Sequence, residues 1–462
     1  IGAAAMLDLA RAVARVGRLD SAGRLAERAR VTAPAADSAV TSLAWCAAGG
    51  ALVTSAPARA DSLIEWGTAL ARAARDQRTL ARCLTAGYQA ALTRGFPARS
   101  VGMLGEALTA ISQTRDAEAS ATIHQLRAFM YIQFSFGLAN GRRDAGRAIQ
   151  LARESGNRLA EGYAHLNLAQ LAIRLGDIRA AASRRDSAVI LLRAIGDRPG
   201  QAAAEFVGGD AAFASGDLAR AERSYRAALA LYQQLGYPVA AVNQRLALIA
   251  IERRNFAEAR RLLADAAAEA NRLGNRGFLI DKQYYDALLA LREGRSTDAA
   301  AGFRGYREAL SAGAFQYRLD AGTREAEALA LAGQLGEAEV VLDSAIAAIE
   351  RVRQSVRDPG DDKNRDIMMA LAANRRFEFD PDLGLATIVA TLAGAGRVES
   401  AFRFAEAERA RMLWVRLSRR AVLSESASRR APPLLVPNDL PLGELTGALG
   451  DDTALLAFST GV

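Results

Sequence analysis

The chain has 462 residues, is 51% hydrophobic and 24% charged, and carries a formal charge of +8. That much apolar surface excludes a disordered chain, and with 11 prolines and an excess of Ala and Leu the composition favours helix nearly throughout. The positive balance does not mark a nucleic-acid binder, because Arg and acidic residues are interspersed along the same helical stretches, as at Arg220, Glu222 and Arg223. The basic run Arg409, Arg411, Arg416, Arg419 and Arg420 suits the end of a helix, where cations oppose the backbone dipole. No apolar run is long enough to span a bilayer.

In chain order, the first predicted element is a hairpin turning at Gly17, with Ala10 before it and Ala22, Ala26 and Ala29 after it. A second unit runs from Trp45 to Ala69, and a third turns at Gly95, with Ser100, Leu104 and Ala107 behind it. The next is expected to turn around Asn140 and Gly141 and to continue through Ala145, Ile149 and Ala152. Cys46 and Cys83 lie in separate helical segments without metal-ligand or redox spacing, and are read as two buried, reduced thiols acting as small hydrophobes.

From here the pattern becomes regular. Turns at Gly176, Gly216, Arg254, Gly294 and Gly333 give steps of 40, 38, 40 and 39 residues. Seven residues before each turn stand Ala169, Gly209, Ala247, Ala287 and Ala326, and five after it Ala181, Ala221, Ala259, Ala299 and Ala338. Small side chains at these sites let two antiparallel helices approach closely, and the larger Tyr225, Leu263, Phe303 and Leu342, nine after the turn, fill the wedge to the next hairpin. A fixed period of this size predicts a helical repeat array of about nine hairpins before Arg353.

After Ala345 the rhythm changes. A long helix from Val341 to Val356 runs into Asp358, Pro359 and Gly360, which is turn chemistry. A helix near Ile367 to Arg376, a break at Pro381 and a last hairpin about Gly396 follow. Pro432, Pro433 and Pro437 mark a linker. Thr453 to Ser459 reads as one apolar strand, the truncated first strand of an α/β domain. The expected division is a repeat array over 1–356, a closing helical unit over 357–420, a linker over 421–441 and the start of another domain over 442–462.

The turns G-D-I-R-A-A, Gly176 to Ala181, and G-D-L-A-R-A, Gly216 to Ala221, resemble tetratricopeptide (TPR) repeats. That resemblance implies an all-α, TPR-like superhelical solenoid. The usual repeat is about 34 residues, so the longer step here implies longer helices or connectors, as in the extended arrays of bacterial regulators. The run A-F-R-F-A-E-A-E-R-A-R-M-L, Ala401 to Leu413, followed by a proline-bearing linker and L-T-G-A-L-G-D-D-T-A-L-L, Leu445 to Leu456, looks like the junction of TPR-CHAT proteins, in which the array precedes a caspase-like cysteine peptidase. The catalytic His and Cys of that family would lie downstream of this strand, and His124, His165, Cys46 and Cys83 are not carried over to those roles.

No catalytic, cofactor or metal site is expected, since two His and two Cys scattered over repeats supply neither a nucleophile and base in reach nor a converging ligand set. Binding is the expected activity. The outward stripe of the first helix in each hairpin gives the candidate groove: Tyr163, Asn167, Gln170 and Arg174, then Asp210, then Gln244 and Arg245, then Asp281 and Tyr284, then Arg324 and Glu327. Asn offers a donor and an acceptor and Arg a fork of donors, which suits a peptide backbone or a carboxylate. Tyr163, Phe206, Phe213 and Tyr284 are possible aromatic anchors, with Phe206 and Phe213 equally suited to the core. The expected partner is a protein or peptide, with a CHAT domain attached, no nucleic acid and no membrane span, and a cytoplasmic location is favoured. The alternative is a stand-alone assembly scaffold or signalling regulator without peptidase activity.

Overall fold

The computed structural model describes residues 2–15, 19–34, 37–134, 137–310, 315–355 and 381–407, and all regular structure among them is α-helical. The elements used below are α3 (Ser38–Leu52), α4 (Pro57–Ala73), α5 (Gln77–Thr93), α7 (Ala117–Gln133), α8 (Leu138–Ser155), α9 (Arg158–Arg174), α10 (Ile178–Ala194), α11 (Arg198–Ala214), α12 (Leu218–Leu235), α13 (Ala240–Glu252), α14 (Phe256–Leu273), α15 (Arg276–Arg292), α16 (Ser296–Ala309), α17 (Phe315–Leu331) and α18 (Leu335–Ser355). α19 (Pro381–Gly394) follows, with a helix over 398–407 after it. The eighteen helices from α1 (Ala3–Arg15) to α18 alternate as the first and second arms of nine hairpins. This is a TPR-like helical-repeat array, in two compact units, 1–279 and 280–462. The expected helix near Ile367 to Arg376, the linker and the strand at Thr453 lie outside the described residues.

The repeat pattern has a physical basis at each connector. At Gly176 the backbone takes φ +77°, the Gly176 amide donates to the Ile173 carbonyl at 2.9 Å and the Asp177 amide to the Ala172 carbonyl at 2.8 Å, which closes α9. The Asp177 carboxylate then accepts from the Ala180 amide at 2.9 Å and opens α10. Asp217 and Asn255 cap α12 and α14 in the same way. The Gly-Asp pair therefore ends one helix and starts the next. Arg254 holds the left-handed state at φ +57° where the other strong repeats use Gly.

The small and large positions are buried as the period requires. Ala181, Ala221, Ala259, Ala299 and Ala338 are enclosed, and so are Tyr225, Leu263, Phe303 and Leu342. Gly209 stands where other repeats have Ala, and a Cβ there would come within 2.6 Å of the Tyr225 ring. The hairpin expected at Asn140 and Gly141 turns earlier. Both residues are inside α8, and Gly141 is small because it packs on α7, where a Cβ would meet the Ile132 side chain at 2.6 Å.

Two features of unit 1 go beyond the period. Cys46 on α3 and Cys83 on α5 are joined in a disulfide, their Cα atoms 5.2 Å apart, so the expectation of two reduced thiols is corrected. Stacking of successive first helices brings the residues together, although 37 positions separate them. Connectors distant in sequence also meet: Arg272 donates to the Thr54 carbonyl at 2.8 Å, and the Gly95 turn lies against the α14–α15 connector, where a Cβ on Gly95 would stand 2.5 Å from Asn275 Oδ1.

In unit 2, α17 packs against α16, α18 and α19, and residues 320–330 along it are all buried. Gly396, at φ +78°, turns α19 into the helix over 398–407, where Leu392, Ala401, Phe404 and Ala405 are buried.

Candidate partner-binding face

First helices of neighbouring hairpins touch directly, as α3 does α5, α7 does α9 and α9 does α11, and the pair of Asp210 and Arg245 extends the row from α11 to α13. The row is stitched to itself. Asn167 is buried, and its amide donates to the Gln125 carbonyl of α7 at 2.8 Å. Arg174 donates to the Gln133 carbonyl at the C-terminal end of α7 at 2.9 Å, where the helix has spare acceptors. Both residue types do bind a peptide backbone, but it is the backbone of the preceding repeat.

Tyr163 is half-buried and donates to Asp197 Oδ2 at 3.1 Å, while the same carboxylate oxygen accepts from the Gly200 amide at 2.7 Å and caps α11. Desolvation first, and then the Asp197 charge, push the Tyr163 hydroxyl above its ordinary value, so it remains a donor. Asp210 is buried, accepts from the Tyr225 hydroxyl at 2.8 Å, and pairs with buried Arg245 on α13 at 3.8 Å. Phe206 packs on Tyr225 with ring centroids 5.5 Å apart, which places it with the core.

The amides are the exception. Gln170 on α9 is half-buried and Gln244 on α13 is buried, yet neither side chain hydrogen-bonds to any described residue. Asn243, next to Gln244, is also buried with an amide that makes no such bond, and it is a residue the sequence reading missed. Its neighbours at 242 to 251 are all buried, so α13 has no polar stripe by which sequence periodicity could single it out.

On α7 and α8, burial pushes the Asp144 carboxyl upward, but hydrogen bonds from His124 at 2.8 Å and from Arg127 at 2.6 and 2.8 Å outweigh it and hold the group below its ordinary value. His165 is buried inside the α9 hairpin. Its Nδ1 finds no hydrogen-bond partner, and its Nε2 is 4.0 Å from Glu161. Desolvation, aided by Arg184 and Arg153 and opposed by Glu161, lowers its pKa.

The candidates in unit 2 are differently placed. Tyr284 is 1% exposed at the centre of an aromatic cluster, with the rings of Tyr285, Phe303 and Tyr306 at 5.9, 5.2 and 5.3 Å. As a groove anchor it is corrected to a core residue, because the large side chains that fill the wedge between hairpins converge on it. Arg324 and Glu327 form an ion pair at 2.7 Å whose side chains are 4% and 3% exposed. They too are interior, enclosed because helices pack around α17 on several sides. Asp281 is half-buried, with the Tyr306 hydroxyl 3.5 Å away. Glu325, fully buried, accepts from Arg304 at 2.7 Å and from Arg307 at 2.9 Å. No cluster of three or more His, Cys, Asp or Glu able to hold a metal occurs among the described residues.

No family model matches the chain, and no curated protein sequence matches it. Among solved structures, the chain is similar to a Rap protein complexed with Competence and Sporulation Factor, with a TM-score of 0.56 at 13% identity over 79% of this chain and 99% of that one. Aspartyl phosphate phosphatase F from Bacillus subtilis aligns with a TM-score of 0.45 at 12% identity over 75% of this chain and 93% of that one. The P58(IPK) TPR domain aligns with a TM-score of 0.23 at 15% identity over 82% and 98%. The first likeness establishes a shared helical-repeat fold, and the two lower scores add no argument.

Proposed function

We propose that the chain is a protein-interaction and regulatory scaffold that takes an extended peptide segment along the first-helix row of residues 1–279 and controls an attached CHAT peptidase domain. The observation that carries the binding role is the trio Gln170, Asn243 and Gln244, partly or largely buried amides without hydrogen bonds among the described residues. A peptide bond offers the donor and acceptor that each amide lacks. The Rap neighbour, whose structure holds Competence and Sporulation Factor, supports the same reading. The CHAT assignment rests on the Ala401 to Leu413 run and the Leu445 to Leu456 segment.

Panning a random-peptide display library against the whole chain, followed by fluorescence anisotropy of the retained peptides, tests the binding role. Replacing Gln170, Asn243 and Gln244 with Ala is expected to weaken the best peptide roughly 10-fold or more per lost amide pair. An empty selection, or equal binding by the triple variant, would overturn it. The CHAT role predicts that removing the array changes peptidase activity of the complete protein.

A further inference from the structure

The chain has two cysteines in 462 residues, and both are in one bond. The bond joins the first helices of the second and third hairpins, and both residues are buried, Cys83 completely. The surrounding chain is shaped to receive it. Gly67, on the intervening helix α4, lies against the Cys46 sulfur. A Cβ at that position would overlap Sγ and come within 2.7 Å of the Ser42 carbonyl oxygen. The Ser42 carbonyl is also 3.6 Å from Cys83 Sγ, and the Ile64 carbonyl 3.8 Å from Cys46 Sγ. The glycine supplies the space in which the two sulfurs meet, and Ala in its place would displace helix backbone.

We propose that Cys46–Cys83 is a structural disulfide acquired in an oxidising compartment, and that this array works there and not in the reducing cytoplasm. In forming the bond the two thiols lose two protons, and two electrons pass to a disulfide oxidant, such as an oxidised dithiol oxidoreductase, which is itself reduced to two thiols. No third cysteine exists in these residues to exchange with the bond. Reversal needs an external thiolate, which must reach sulfurs enclosed by three helices. A bond so placed acts as a clamp across the α3–α5 stack, and cytosolic thiols would keep its cysteines apart. The inference is independent of the peptide-binding reading.

The test is the thiol state of the full chain isolated from its own cells, quenched in acid and alkylated under denaturing conditions before non-reducing digestion. The expected result is a linked peptide pair carrying Cys46 and Cys83, with neither residue alkylated. Two alkylated thiols would overturn the proposal. A second measurement guards the structural role. After unfolding and refolding under reductant, the wild-type chain is expected to melt roughly 5–10 °C lower than the oxidised form, whereas C46A/C83A melts at one temperature in either condition. Equal melting of the oxidised and reduced wild-type chain would show that the clamp contributes nothing and overturn the structural assignment.

Discussion

The first-helix row of residues 1–279 adds main-chain acceptors to its charge pairs, whereas helix α17 in residues 280–462 relies on charge pairs. In the row, Asn167 and Arg174 reach the main-chain carbonyls of Gln125 and Gln133, beside the charge pairs of Asp144 with Arg127 and Asp210 with Arg245, and a disulfide ties α3 to α5. In residues 280–462 Glu325 is enclosed beneath the partly exposed Arg304 and Arg307, and Arg324 is buried together with Glu327. The Gln125 carbonyl, inside α7, already has a backbone donor, so losing the Asn167 amide leaves it partly satisfied. A buried carboxylate has no such reserve. The Asn167 contact should therefore be lost at small cost, and the Glu325 contacts should not.

The sharpest way to break this contrast is the double variant R304A/R307A. It leaves Glu325, whose side chain is fully enclosed, without its two cations. The expected loss is about 3–5 kcal/mol, read by denaturant unfolding, with hydrogen exchange rising first along α17. A loss under about 1 kcal/mol would mean that these pairs act as surface bridges do. Next is Gly95→Ala in unit 1, which forces a side chain into a left-handed backbone and onto Asn275. A cost of roughly 1–2 kcal/mol is expected from the backbone alone. Faster amide exchange should appear around 272–277, and unchanged exchange there would show that the contact with the α14–α15 connector is incidental. Smaller again is Asn167→Ala, at about 1 kcal/mol. If its cost matched that of R304A/R307A, the distinction between the two kinds of contact would fail.

Acid provides the mildest discrimination. Both histidines of the chain, His124 and His165, lie in unit 1. Burial first, then Arg184, hold the folded-state pKa of His165 below its unfolded value of about 6.5. Between those two values the unfolded chain binds a proton that the folded chain does not. The stability contributed by neutral His165 is therefore complete above the unfolded value and declines as pH falls below it. Unfolding midpoints followed from pH 7.5 to 5.5, about 1 unit either side of that value, should drop for the wild type and drop less for His165→Leu. Identical pH profiles would remove His165 from the account.

Much of the scaffold was legible in the sequence. The 38 to 40 residue step located every strong turn, and the small residues seven before and five after each one are buried. Where the early pattern decayed, the placing slipped: Gly141 looked like a turn glycine but serves close packing of α8 on α7, since a missing side chain answers either need. The candidate stripe was less legible. Asn167 and Arg174 were chosen for their ability to hold a peptide backbone, and that ability is used inside the array. Gln170 and Gln244 keep theirs, and Asn243 was hidden by a helix apolar nearly all round.

What the sequence determined by itself was everything that repeats: helix length, the turn that ends one arm, the acid or amide that caps the next, and the sizes that let two arms meet. These depend on residues within about one repeat of each other, so a linear pattern records them. Only the tertiary structure decided which exposed-looking faces stay exposed. Tyr284, Arg324 and Glu327 sit on the predicted stripe but are covered by elements that local spacing does not register. The cysteines pair because stacked first helices bring their Cα atoms to 5.2 Å. Periodicity assigns a side chain to one face of its own helix, while burial and bonding depend on what the rest of the chain lays against that face.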